Sequence, residues 1–161
     1  VEGWNVQTLR LGDLLVQQGV LTAEQRDEVL EAQKLRRRPF GVLAEDMFGV
    51  SPAAVERAWA EQFSALAENV DPRTFKADPS AIAAIDRRQA WQFKVLPLRA
   101  DANSMLLCTT KEHLVRAMRF AGWKLGHSCQ FVLSEARLLG EAMVKHYPMA
   151  GMTPEMVTRT T

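Results

Sequence analysis

Two stretches near the start of the chain carry like residues at like spacing, 29 positions apart. Residues 10–33 (RLGDLLVQQGVLTAEQRDEVLEAQ) are echoed by residues 39–62 (PFGVLAEDMFGVSPAAVERAWAEQ), with Gly12 over Gly41, Leu14 over Leu43, Thr22 over Ser51 and Gln33 over Gln62. Such a duplication suits recognition, because each copy can present the same small surface to one half of a ligand that is itself made of two like halves. Bond-making chemistry has no comparable signature. The sequence holds no GxxxxGK[ST] phosphate loop, no HExxH, no GxSxG and no CxxC pair. His113, His127 and His146, with Cys108 and Cys129, are scattered over separate predicted elements rather than set in the close pairs that zinc sites draw on. Carboxylate pairs such as Asp27 and Glu31, or Glu45 and Asp46, read as helix-surface charges. The expectation is a binding protein, not an enzyme, with no metal and no resident cofactor.

Helices must position the repeat. Leu11, Leu14 and Leu15 form the apolar face of a first short helix, Gly19 stops it, and Thr22 with Gln25 makes a capping box that opens a second helix to about Leu35. The second copy repeats the punctuation with Ser51 as N-cap and Pro52 at the first helical position, where a missing N–H costs nothing. Val55, Ala58, Trp59, Gln62, Phe63 and Leu66 then recur at three- and four-residue spacing along one side of a helix. Residues 10–67 therefore read as a four-helix unit made of two tandem hairpins, behind an N-terminal arm of residues 1–9.

After Glu68 the pattern changes. A helix is predicted from near Ser80 through Ile82, Ile85 and Ala90. Lys94–Arg99 (KVLPLR) and Ser104–Thr109 (SMLLCT) read as an antiparallel hairpin turning at Asp101-Ala102-Asn103, with Pro97 favouring an edge or a bulge. A helix from about Glu112 to Trp123, a strand from Cys129 to Leu133 and a helix from Ser134 to Tyr147, N-capped by Ser134, follow. Residues 68–147 thus read as a small α/β subdomain with a short sheet, giving an α+β chain, and residues 148–161 as a tail or linker.

Composition bounds the function classes. With 161 residues, 47% hydrophobic and 24% charged, the chain reads as globular, and no apolar run approaches the roughly 18–20 residues of a membrane span. The N-terminus VEGWNVQ lacks a signal-peptide layout, so the expected location is cytoplasmic without direct membrane insertion. The net charge of +1 hides an asymmetry: residues 1–68 hold 7 Lys+Arg against 11 Asp+Glu, and residues 69–161 hold 13 against 8. Neither half has a basic stripe backed by stacking aromatics, so DNA and RNA are not expected partners. The dense run Lys34, Arg36, Arg37 and Arg38 suits a helix C-terminus, and phosphate contact is the sharper alternative.

The first copy resembles the motif RLGxx[LVI][LVI]xxG[LVI][LVI]xxxx[LVI]xxxLxxQ of the MshEN-type domains, the N-terminal regulatory domains of type II secretion and type IV pilus ATPases. Arg10, Leu11, Gly12, Leu15, Val16, Gly19, Val20, Leu21, Leu30 and Gln33 fit it, and Arg26 stands where the family has an aliphatic residue. In the second copy Gly41, Val50, Val55 and Gln62 fit. There Pro39 replaces the arginine, Phe40 the leucine, Ala44 and Glu45 two aliphatics, Phe48 the glycine, Gly49 another aliphatic and Trp59 the last leucine. Residues 68–147 are similar to the α/β subdomain that follows in those ATPases.

In that family two tandem copies bind cyclic di-GMP, one per half of the dinucleotide. The resemblance implies a regulatory domain with cyclic di-GMP as candidate ligand and the fourteen fitting residues as candidate contacts. It also implies an inner-membrane or ATPase component of a secretion or pilus machine as partner. An arginine in such a site stacks on a base or reaches phosphate, a glycine permits close backbone approach, and a glutamine amide bonds a base edge or closes the helix pair. The competing expectation is a protein–protein interaction adaptor of such a machine that has lost nucleotide binding, either stand-alone or as a fragment of a larger ATPase.

Overall fold

Turn chemistry sets the ends of the first four helices, α1 (Leu11–Gln17), α2 (Ala23–Arg36), α3 (Phe40–Phe48) and α4 (Pro52–Leu66). The computed structural model describes residues 10–125 and 128–158, so the arm 1–9 and His127 lie outside the described residues. The capping box is present: the Thr22 N–H donates to Gln25 Oε1 at 2.9 Å, and the Gln25 N–H to Thr22 Oγ1 at 3.1 Å. Ser51 does the equivalent for α4, accepting from the Ala54 N–H at 3.1 Å. Leu15, Val29, Leu43, Ala44 and Ala58 are fully buried at the centre of this bundle, and each buried leucine contributes about 1.5–3 kcal/mol.

The four helices pair crosswise. α1 lies mainly on α4 and α2 on α3, so the first helix of each hairpin rests on the second helix of the other, while α1 and α3 also meet. This unit ends at Leu66, and a second compact unit begins at Ala67.

The second unit is built on a three-stranded sheet, β1 (Leu96–Ala100), β2 (Ser104–Thr109) and β3 (Ser128–Leu133), in the order β1-β2-β3. β1 runs antiparallel to β2, and β2 parallel to β3. Pro97 sits on the edge strand where the register shifts before Arg99, a place that tolerates its missing donor. Asp101 Oδ1 makes the hairpin turn by accepting from the N–H groups of Asn103 and Ser104 at 2.8 and 2.7 Å. Helix α7 (Leu114–Lys124) follows a 3-10 turn, Lys111–His113, whose N-cap is Thr110.

Three expectations need correction here. The helix expected from Ser80 through Ala90 is two, α5 (Pro79–Ala84) and α6 (Arg87–Phe93), because Ile85 is extended and buried. Asp86 starts afresh as an N-cap, accepting from the Arg88 N–H at 2.8 Å. Ser134 does not cap α8 (Ala136–His146); Glu135 occupies the cap position and the Ser134 hydroxyl donates to the Glu135 carbonyl. Beyond Pro148 the chain is no frayed tail as far as Thr158: α9 (Glu155–Thr158) packs on α8 and buries Val157 completely. Gly140 makes that docking possible, since a Cβ there would stand 2.6 Å from Pro154 Cα.

Candidate functional site

The first unit places equivalent residues of the two copies in equivalent surroundings. A Cβ on Gly12 would stand 2.8 Å from Phe40 Cζ and 3.1 Å from Arg26 Cγ; a Cβ on Gly41 would meet Val55 Cγ1 first and then Leu11 Cδ2 at 3.6 Å. Phe40 is the counterpart of Leu11, and Val55 the counterpart of Arg26, at the same 29-residue offset. Each glycine therefore faces one residue of its own hairpin and one of the other, as an approximate two-fold relation between the hairpins requires. The bare glycines let α1 and α3 approach their neighbours, which is the role glycine serves where backbone comes close.

The loops after α1 and α3 repeat as well. The Leu21 N–H donates to the Leu15 carbonyl at 3.2 Å, and its counterpart Val50 donates to the Ala44 carbonyl at 3.5 Å. Gly19 takes the left-handed φ of 74° after α1. In the second copy Phe48 holds the aligned position, but Gly49, one residue on, supplies the left-handed turn with φ 65° and caps α3. Both turns are strained for any other residue, so the apparent loss of the motif glycine is a shift by one.

The other motif residues divide by exposure. Leu15, Leu21, Val50, Gly12 and Gly41 are buried; Leu11, Val16, Val20, Gln33, Val55 and Gln62 are half-buried; Arg10, Gly19 and Leu30 reach solvent. Arg10 is the N-cap residue of α1 and makes no side-chain cap. The Gln33 side-chain amide donates to the Arg38 carbonyl at 3.1 Å, and the backbone carbonyl of Gln33 receives the N–H of Arg37, a left-handed residue with φ 52°. Gln33 thus closes the turn between the hairpins.

Two features were not evident from the motif. Where the second copy has Val42 and Val55, the first has a polar pair, with Arg26 Nη1 3.1 Å from Asp13 Oδ1 and Arg26 Nε 3.2 Å from Asp27 Oδ1. Those carboxylates, Asp27 foremost, raise the guanidinium above its usual value, and the pair is surface-lying and screened. Phe40 covers Gly12, whereas Trp59 stacks on Phe63 with ring centroids 5.4 Å apart. The motif aligns Phe40 with Leu11, but only the structure places it against Gly12 of the other hairpin.

In the second unit, Cys108 is buried and Cys129 half-buried, and neither is joined in a disulfide. Among the described residues no group of three or more His, Cys, Asp or Glu is placed to hold a metal, and no helix is long and apolar enough to cross a membrane. A depression of about 660 Å³ is lined by Arg87, Arg88, Val144, Met149 and Met152; the segment after Pro148 that helps form it was expected to be a linker.

No protein-family model matches the chain, and no curated protein matches it. Among solved structures it is similar to MshE with cdg, at 21% identity and a TM-score of 0.49, covering 86% of this chain and 99% of that one. It is also similar to the N-terminal domain of XpsE, at 16% identity and a TM-score of 0.43, covering 89% of this chain and 97% of that one.

Proposed function

We propose that the tandem hairpins form a non-enzymatic, cytoplasmic receptor domain for cyclic di-GMP, of the kind that regulates secretion and pilus ATPases. The observation that carries this reading is the reciprocal placement of the copies: Gly12 against Phe40 and Arg26, Gly41 against Val55 and Leu11. A ligand of two like halves meets two like surfaces across such an arrangement. The nearly intact motif of residues 10–33 supports the same conclusion.

The roles follow from exposure. Leu15, Leu21 and Val50 form the floor that fixes the helices. Leu11, Val16, Val20, Leu30, Val55 and Gln62 supply the apolar and amide surface for the bases, and Gly19 keeps the backbone accessible. Arg10, exposed at the start of α1, supplies a guanidinium for phosphate or for stacking. Gln33 positions the inter-hairpin turn and with it Arg38, the residue before Pro39.

Calorimetric titration of the chain with cyclic di-GMP tests this. Binding is expected, and Arg10→Ala and Gln33→Ala are each expected to weaken it by over about tenfold, the cost of a charge-assisted bond or a lost positioning contact. The absence of binding to folded protein, or unchanged affinity in both variants, sinks the proposal.

One observation favours a second reading, docking on an inner-membrane or ATPase component of the machine without nucleotide. Leu35 is 87% exposed and Leu30 38% exposed, both on α2, next to the basic run. Nucleotide-independent co-purification with a component of such a machine, lost in Leu35→Ser, is the result that supports it.

A further inference from the structure

We infer that the carboxyl end of the parallel strand pair carries an anion site, built from Lys94, His113 and Arg116, for a small phosphate-bearing ligand. The site lies in the second unit and does not depend on the dinucleotide reading of the first. β2 and β3 are parallel with α7 crossing between them, and open α/β sheets bind ligands beyond the carboxyl ends of such strands. Lys94 comes to the same end by antiparallel pairing, because Leu96 lies opposite Cys108, next to the end of β2.

Each of the three side chains is held. The backbone of Lys94 adopts the left-handed conformation, φ 52° and ψ 52°, which glycine and asparagine occupy more readily. Fully buried Thr109 secures it by donating its hydroxyl to the Lys94 carbonyl at 2.7 Å. One N–H of the Lys94 ammonium donates to the Trp91 carbonyl at 2.6 Å, which leaves the other two for a ligand. Thr110 Oγ1 accepts the backbone N–H of His113 at 3.2 Å and lies 2.7 Å from His113 Nδ1. In the tautomer in which Nδ1 accepts from the Thr110 hydroxyl, the neutral ring carries its proton on Nε2, on the side away from Thr110. The Arg116 guanidinium lies over the Phe93 ring, 5.6 Å from its centroid, and Phe93 stacks on buried Phe120.

These groups are all basic and lie near enough to act on one another's protonation. Burial first, then Arg116, pushes the Lys94 ammonium below its ordinary value. Burial first, then Lys94, does the same to His113, with Arg116 adding to it and the Glu112 carboxylate opposing. A phosphate dianion received by all three relieves that repulsion and gains charge-assisted hydrogen bonds, the strong kind in a half-buried place.

The test follows the imidazole of His113 by NMR in the whole chain, with inorganic phosphate as the free probe and phosphatidic-acid vesicles as the lipid-borne one, at matched ionic strength. Phosphate is expected to shift His113 saturably and raise its titration midpoint, while His146 stays put. Lys94→Ala and Arg116→Ala are each expected to weaken phosphate by about tenfold, with Lys94→Arg retaining it. Lys94→Gly removes the ammonium at a backbone conformation glycine prefers, and serves should the alanine variant not fold. An equal response from sodium chloride, an equal response from His146, or folded variants of unchanged affinity overturns the site. A response to vesicles alone overturns its assignment to a small ligand.

Discussion

Gly41 faces Val55 with no room between them: a Cβ on Gly41 would stand 2.6 Å from Val55 Cγ1, closer than the 2.8 Å at which Gly12 would meet Phe40 Cζ. The difference in partner matters more than the difference in distance. Val55 is β-branched on a helix and has one strongly preferred rotamer, whereas Phe40 Cζ is the far end of a side chain that can swing.

Gly41→Ala is therefore expected to destabilise the first unit by about 1–2 kcal/mol, the overpacking cost less the helical preference for alanine. Gly12→Ala should lie closer to neutral. Urea midpoints followed by circular dichroism distinguish them, and adding Val55→Ala to Gly41→Ala should cost less than the sum of the single changes. Additive behaviour would mean that the two residues do not meet as described.

The hairpins were legible because their signals are local. Thr22 with Gln25, and Ser51 before Pro52, mark helix starts by hydrogen bonds within three residues, and the structure shows those bonds. The crosswise pairing of α1 with α4 and α2 with α3 was not legible, since a repeat states that two units are alike without stating which helix each rests on. Asp86 was missed as a cap because Ile82, Ile85 and Ala90 continue a helical spacing across it, and periodicity does not reveal an extended Ile85. Among the candidate ligand residues, chemistry was readable and accessibility was not. Leu15 and Leu30 fit the same motif, yet Leu15 is fully buried and Leu30 reaches solvent.

The segment after Pro148 gives the second prediction. Val157 is fully buried, and Gly140 lies under Pro154 with no space for a side chain. Ending the chain at Pro148 would expose the surface of α8 that α9 covers, so the truncated protein is expected to melt several degrees below the full chain. On the scale where about 1 kcal/mol moves a small domain by 4–8 °C, Val157→Ala alone should give a measurable drop in calorimetry. Gly140→Ala should be worse than either glycine change in the first unit, because what it meets is backbone, which cannot turn aside. A truncated chain that melts like the full one would show that α9 adds nothing to the core.

Cys108 supplies a pH signature with a definite sign. It is fully buried on β2, and burial pushes its thiol from 9.0 up to about 12. The folded state keeps the proton where the unfolded chain gives it up. The group's contribution to stability is therefore complete below about pH 9 and is lost progressively as pH rises toward 12. Its slope is at most about 1.4 kcal/mol per pH unit within that window. Burial raises the Tyr147 phenol in the same sense, whereas Lys94 is lowered and acts oppositely, so the total slope does not isolate the thiol. The difference between the wild-type protein and Cys108→Ala does: urea midpoints against pH should fall less steeply above about pH 9 in the variant, whatever its stability at neutral pH. Iodoacetamide provides an independent reading near neutrality, where half-buried Cys129 should be labelled first and Cys108 only as the sheet opens. Parallel pH profiles for the two proteins, together with equal labelling of both thiols, would contradict a protonated, enclosed Cys108.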